Sequence, residues 1–264
     1  MPSDHYRLPR SRAIAVAWAL AIGLLAGCAN SRSPVSSSVE TDGLAFYAYD
    51  APVPSVPGKL LRTESLPAEL GLNDAQQQLR ILYTSTDGAT GQGQRVTSGA
   101  VFYPMGSPPA GGWPIIAWAH GTVGVSAACA PSRNPRSARD AAYLNRWLRE
   151  GFVVVATGYQ GLGTPGPHLY LHARAEAYAM LDGVRSVVGG LPNVANRVVL
   201  LGQSQGGGAV FATAGYAPEY APELDIRATV ASGTPYVNRR NAPSFPPDRV
   251  NPTLAYAMYI VRMA

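Results

Sequence analysis

The sequence predicts an α/β fold in which a mostly parallel sheet is flanked by helices. Continuous apolar runs at residues 113–119 and 152–156 are typical of strands buried on both faces. Segments with apolar residues at helical spacing alternate with such runs along the chain. An apolar content of 47% is enough for one sizeable core. Strands that alternate with helices imply parallel neighbours joined by right-handed crossovers.

The predicted elements follow in order after residue 58, where patterned sequence begins. Two antiparallel strands come first, joined by the glycine-rich hairpin loop GATGQGQ. Leu144, Trp147 and Leu148 then share one face of a helix that Gly151 ends, and Leu181, Val184 and Val188 share a face of the next. The predicted strands are residues 80–85, 95–103, 113–119, 152–156, 197–201 and 226–232, and the predicted helices are residues 138–150, 173–188 and 205–216.

The first 27 residues are predicted to be a signal peptide. Three arginines precede an apolar run at residues 13–25, which is too short for a comfortable membrane span. The run ends in LAGC, which resembles the lipobox of bacterial lipoproteins, and this implies cleavage before Cys28 and lipidation of its thiol. Residue 29 is alanine and not aspartate. By analogy with lipoprotein sorting in Gram-negative cells, this favours the outer membrane as the location. An uncleaved anchor with a passive Cys28 is the alternative.

Composition predicts the remaining domain boundaries. Residues 28–58 are rich in Ser, Pro and Ala, which is typical of a flexible tether. Residues 59–235 carry the α/β core. Residues 236–264 change to Asn, Arg and Pro and then to an apolar stretch, which we interpret as the start of a lid.

Charge and metal-ligand patterns exclude several classes of function. The net charge is +5, but the chain has a single lysine and no basic cluster beyond Arg239-Arg240, so no nucleic-acid partner is expected. No histidine pair with a carboxylate has metal-ligand spacing, so we expect neither a metal nor a cofactor. Cys129 is left without a partner once Cys28 is set aside, as a free buried thiol or as half of a disulfide whose other half is missing.

The sequence Gly202-Gln203-Ser204-Gln205-Gly206 lies between a predicted strand and a helix of small residues. A G-x-S-x-G motif in that context is a nucleophile elbow, a strained turn that projects the serine hydroxyl from the sheet edge. A Cβ at either glycine is expected to clash with the neighbouring strand or helix. Ser204 is therefore the candidate nucleophile, with a plain glycine-rich turn as the alternative.

No histidine follows Ser204; the four are His5, His120, His168 and His172. With a nucleophile elbow the triad order is Ser, then Asp or Glu, then His, so the base is expected downstream. The carboxylates after Ser204 cannot replace it, because the carboxylate of a triad orients an imidazole. We therefore expect the chain to be the front part of a longer enzyme, with little or no turnover by itself.

Stabilising a tetrahedral oxyanion needs two backbone N–H donors. Gln205 follows the nucleophile and supplies one, and the loop at Gly121 and Thr122, after a predicted strand, is placed to supply the other. We interpret His120 as a residue that holds this loop. His168 and His172 are interpreted as solvated loop histidines, although His168 could border the pocket.

Four blocks, WPIIAWAHGTVGVSAACAPS, YQGLGTPGPHLY, LDGVRSV and LLGQSQGGGAVFA, together resemble the secretory lipase family of α/β-hydrolases. The resemblance implies a serine carboxylester hydrolase acting on acylglycerols or smaller esters, with Ser204 as nucleophile, the Gln205 N–H in the oxyanion hole and a helical lid after about residue 234. Tyr159 is a further pocket candidate. The chain departs from the family at Gln203, where the family often has His, and at Gly158, where it commonly has Asp.

Two other functions remain open at this point. The chain could be a non-catalytic, membrane-tethered lipoprotein that binds acyl chains in a preformed groove. It could also be a serine peptidase, since the elbow serves that class too, although HGT…CAPS counts against it.

Overall fold

A computed structural model describes residues 44–236, 251 and 253–263 of the protein. The predicted signal peptide, Cys28, most of the predicted tether and residues 237–250 of the predicted lid lie outside the described residues. The predictions made for them therefore remain predictions.

The described residues contain a seven-stranded sheet. Its strands are β1 (Leu60–Ser65), β2 (Ala75–Thr86), β3 (Gln94–Pro104), β4 (Trp113–Ala119), β5 (Val153–Thr157), β6 (Val194–Gln203) and β7 (Ile226–Ser232). Their order across the sheet is β1-β2-β3-β5-β4-β6-β7. The pairs β1–β2, β2–β3 and β3–β5 are antiparallel, whereas β5, β4, β6 and β7 run parallel.

The described residues contain four α-helices of at least 10 residues: α1 (Ala138–Arg149), α2 (Ala173–Gly190), α3 (Gln205–Tyr220) and α4 (Leu254–Met263). Leu144 and Leu148 of α1 pack on one face of the sheet. Apolar residues of α2 and α3 pack in the separate core on the other face. None of the helices that the structure describes in residues 44–236 and 253–263 has both the length and the apolar character of a bilayer-crossing segment.

This three-layer arrangement confirms the predicted fold class. Each predicted strand and helix is present. Strand β1 was not predicted, and the other main differences are in length. β2 begins five residues earlier than predicted, and α3 runs through Pro218 to Tyr220. Pro218 has no N–H to donate to the preceding turn, and α3 ends two residues after it.

The prediction of a tether at residues 28–58 is wrong for part of that segment. Phe46 and Tyr47 are 1% and 5% exposed and pack in a small cluster with Leu82 of β2. Arg62 fixes the same segment, since its Nη1 donates to the backbone carbonyls of residues 45, 46 and 48. Two aromatic side chains and one arginine therefore attach this segment to the sheet, although its composition resembles that of a linker.

Candidate active site

The site lies where two neighbouring parallel strands end. Ala119 of β4 is in register with Gly202 of β6, so the segments that follow leave the same edge of the sheet side by side. A methyl group on the Cα of Gly121 would lie 3.6 Å from Cβ of Ser204. The loop after β4 and the serine after β6 therefore lie side by side.

Ser204 joins β6 to α3 in a strained backbone conformation. Its φ of 58° and ψ of −121° are rare for a residue with a side chain. Its backbone N–H donates to the carbonyl of Ser232 at 2.9 Å, while its side chain makes no capping hydrogen bond to α3. The hydroxyl is thus left available at the start of the helix, as in a nucleophile elbow.

The two motif glycines are required by backbone contacts. A Cβ on Gly202 would lie 2.0 Å from the carbonyl oxygen of Gly206, and a Cβ on Gly206 would lie 1.9 Å from the carbonyl oxygen of Ala119. Both distances are far shorter than van der Waals contact. The clash predicted from the sequence is confirmed at both positions.

A cavity of about 620 Å³ opens beside Ser204, a volume typical of small-molecule sites. Cys129, a half-buried free thiol, is among its lining residues. A second cavity of about 350 Å³ adjoins it and is lined by Trp118, Tyr143 and Val230, among others. Arg139 borders both cavities, and its Nη2 donates to Oε1 of Gln203 at 2.9 Å. The side chain at 203 thus holds an arginine between two compartments next to the serine.

His120 lines the larger cavity but is bonded within its own loop. Its Nδ1 lies 2.7 Å from the carbonyl oxygen of Gly121, to which it donates a hydrogen bond, and its Nε2 is buried without a partner. Burial lowers the pKa of His120 to about 4, so the ring is neutral near pH 7. No hydrogen bond between the described residues links the Ser204 hydroxyl to an imidazole or a carboxylate.

Residues 136–239 match the secretory lipase family. The resemblance predicted from the sequence is confirmed over that stretch, which contains α1, the elbow and β7. No curated protein sequence matches the chain.

Solved structures of lipases and esterases share the fold. Candida antarctica lipase A in its closed state has a TM-score of 0.59 at 24% identity, covering 71% of this chain and 46% of the lipase. A ligand-bound form of the rice cell wall degrading esterase LipA from Xanthomonas oryzae has a TM-score of 0.54 at 26% identity, covering 68% and 51%. A protein from Legionella pneumophila has a TM-score of 0.54 at 22% identity, covering 68% and 53%. The chain spans about half the length of these proteins.

The glycine at 158, a departure from the secretory lipase pattern, has a steric explanation. Gly158 donates its N–H to the carbonyl of Ser98 on β3 at 2.8 Å. A Cβ at this position would lie 2.7 Å from Ser98 Oγ and 2.8 Å from that carbonyl oxygen. An aspartate does not fit here without moving β3.

Neither Tyr159 nor His168 lines the two cavities described above. Instead, His168 contacts the side chain of Gln205 and stacks on Tyr159. The prediction of a solvated His168 is wrong, since this residue is 1% exposed. Gly161 at φ +80° lets the loop fold back until residues 167 and 168 touch it, which buries the ring. His172 is exposed as predicted, and its Nδ1 accepts from the Ala175 N–H at the start of α2.

Sequence reasoning missed Glu176. Its carboxyl Oε1 accepts hydrogen bonds from Gln205 Nε2 at 2.7 Å and from the Leu171 N–H at 3.0 Å, and burial raises its pKa to about 8. The residue lies on the stripe of α2 that also carries Met180 and Val184, both buried. An acidic residue on an apolar helical stripe was the pattern that could have revealed it.

Proposed function

We propose that the protein is a serine carboxylester hydrolase of the lipase and esterase type, acting on acylglycerols or smaller esters. One observation carries the proposal: Ser204, on a strained turn, faces Gly121 across two adjacent strand ends at a cavity of about 620 Å³. Electrostatic stabilisation by preorganised amides is the largest contribution in acyl transfer, and this geometry brings the two donor segments together.

In the proposed reaction, Ser204 Oγ attacks the ester carbonyl carbon and loses its proton to a base. The carbonyl oxygen becomes an oxyanion and accepts hydrogen bonds from the N–H of Gln205 and from an amide at Gly121 or Thr122. The carbon–oxygen bond to the alcohol then breaks, and the alcohol leaves with the proton from the base. Water releases the acid in the reverse sequence and regenerates the serine. The proposal assigns no residue as the base.

Covalent labelling tests the nucleophile. A fluorophosphonate is expected to add to Ser204 slowly, because no described imidazole activates it, and to leave the Ser204→Ala variant unmodified. Intact mass followed by peptide mapping measures the adduct. Ser137, which lines the same cavity, is the internal control for general serine reactivity and is expected to stay unlabelled. A folded protein labelled at Ser137 and not at Ser204 would rule out the assignment.

Ester turnover by the 264-residue chain is expected to be weak. Oxyanion stabilisation without a complete triad leaves about 10³–10⁴-fold acceleration over water. Hydrolysis of p-nitrophenyl butyrate by the purified chain measures this. Rapid turnover that Ser204→Ala abolishes would show that a base is present which the described geometry lacks.

The second candidate is a non-catalytic module that binds acyl chains. The observation that favours it is the cavity beside Ser204, whose hydroxyl has no hydrogen-bonded base among the described residues. Such a module would bind a fatty acid in calorimetry with equal affinity in the wild type and in Ser204→Ala, and would show no fluorophosphonate adduct.

We also propose export and a membrane anchor at Cys28. The match to secretory lipases supports export, and the LAGC sequence supports the anchor. The protein purified from membranes is expected to begin at Cys28 and to carry acyl mass on it, whereas Cys28→Ala should leave an uncleaved, unacylated precursor. Mass spectrometry of the N-terminal peptide measures both. A mature Cys28 without acyl mass would contradict the anchor.

A further inference from the structure

Next to Ser204 the structure contains a buried polar cluster whose side chains take no part in the proposed reaction. It consists of Gln205, Glu176 and His168, which are 0%, 1% and 1% exposed. Gln205 Nε2 lies 2.7 Å from Glu176 Oε1 and 3.1 Å from His168 Nε2. The side chain of Gln205, the residue after the nucleophile, is therefore hydrogen-bonded to two buried partners.

The proton positions in this cluster follow from its partners. His168 Nδ1 lies 3.1 Å from the carbonyl oxygen of Gln160, which can only accept, so Nδ1 carries the proton. Nε2 of the neutral ring then accepts from Gln205, and Glu176 accepts the second amide hydrogen. Both N–H groups of the Gln205 side chain are thus used, which fixes which way its amide points.

The same cluster is connected to the second oxyanion segment. The His168 ring stacks on Tyr159 with ring centroids 5.9 Å apart and an 11° angle between the planes. The Tyr159 hydroxyl donates to the carbonyl of His120 at 3.1 Å. A continuous set of contacts therefore runs from Gln205 through His168 and Tyr159 to the residue that precedes Gly121.

The arrangement is costly for stability alone. Oε1 of Gln205 is buried without a partner, and a partly satisfied polar cluster is less stable than an apolar one of the same shape. Positioning of the elbow gives a reason for it, because the backbone N–H of Gln205 is the proposed oxyanion donor and its side chain is anchored in the cluster.

We propose that Glu176 and His168 are positioning residues that hold the Gln205 amide and, through Tyr159, the loop at Gly121 at the separation an oxyanion requires. The inference rests on the proposed function and deepens it, since it assigns the geometry of the oxyanion hole to residues 159–176, which do not line the cavity beside Ser204.

Affinity for a tetrahedral adduct, compared with affinity for a planar ligand, tests the inference. 2-Phenylethylboronic acid forms a tetrahedral anion on a serine oxygen, and 3-phenylpropanamide presents the same phenethyl group without one. Glu176→Ala and the isosteric, apolar Gln205→Met are expected to weaken boronate binding about tenfold or more, because a misplaced donor loses much of its contribution. Binding of the amide is expected to change less than about twofold. Glu176→Gln, which keeps an acceptor oxygen, should restore boronate affinity.

Asp182 supplies the matched control, as a buried acid on the same helix that accepts from the Tyr220 hydroxyl and from Arg185. Asp182→Ala is expected to lower the melting temperature and leave boronate affinity unchanged. Equal losses for the boronate and the amide in Glu176→Ala, or no loss in Gln205→Met, would overturn the inference.

A second readout separates this inference from the proposed function. Glu176→Ala is expected to shift the backbone amide resonances of Gln205 and Gly121 in ¹⁵N spectra, and Asp182→Ala is expected to shift neither. If the wild type forms no boronate adduct and the resonances still respond in this way, the hydrolase proposal fails and the positioning network stands. If Glu176→Ala leaves both resonances in place, the positioning network is rejected whatever the boronate does.

Discussion

Gly206→Ala is expected to destabilise the protein by about 3 kcal/mol or more. The added methyl group would lie 1.9 Å from the carbonyl oxygen of Ala119 and 2.8 Å from that of His120. Overpacking against side chains typically costs about 1–3 kcal/mol, and here the obstacle is the backbone of β4, which cannot change rotamer. Any relief must move α3 away from β4, and this would also separate Gln205 from the loop at Gly121. Urea unfolding measures the stability, and fluorophosphonate labelling of Ser204 measures the site.

Gly215→Ala is the matched control on the same helix. A Cβ on Gly215 meets nothing within 4 Å, so the only change is in helix propensity, which favours Ala by about 1 kcal/mol. Gly215→Ala should therefore leave stability equal or slightly raised and labelling unchanged. Similar unfolding midpoints for the two variants would show that β4 and α3 are not in the contact described.

The features that the sequence predicted correctly are those that depend on short stretches of chain. The elbow is such a feature, because Gly202, Ser204 and Gly206 meet steric demands created within five residues and by one neighbouring strand. The strands at residues 113–119 and 153–157 are likewise recognisable from apolar runs of their own.

The features that the sequence missed depend on contacts between distant residues. Gln205 bonds Glu176 and His168, which are 29 and 37 positions away, and no local pattern pairs them. Phe46 and Tyr47 stand in a Ser- and Pro-rich segment, so their attachment to β2 was masked by the composition around them. Gly158 departs from the family pattern, but the cause of this departure is its contact with Ser98 on β3, which only the folded structure shows.

Three buried groups near the site, His120, His168 and Glu176, are expected to make stability greatest near pH 6.5, with a fall on both sides. Burial lowers the pKa of His120 and of His168 from 6.5 to about 4, so the unfolded chain binds up to two more protons than the folded one as the pH falls through that window. Burial raises the pKa of Glu176 from 4.5 to about 8, so there the folded chain holds one more proton and stability falls as the pH rises. The net difference grows from zero near pH 6.5 to about one proton near pH 4.5. At about 1.4 kcal/mol per pH unit for each proton, the net loss over this range is about 2 kcal/mol.

His168→Gln separates these contributions. With one buried imidazole removed, the proton uptake of His120 in the unfolded chain balances the proton that Glu176 holds in the folded chain. The free energy of unfolding is therefore expected to be nearly constant between pH 4.5 and 6.5. His172→Gln, a change at an exposed histidine of the same loop, should keep the wild-type profile. Urea titrations at half-unit pH intervals measure all three curves. A His168→Gln profile as steep as that of the wild type would mean that His168 takes up a proton in the folded state, and it could then not accept the hydrogen bond from Gln205.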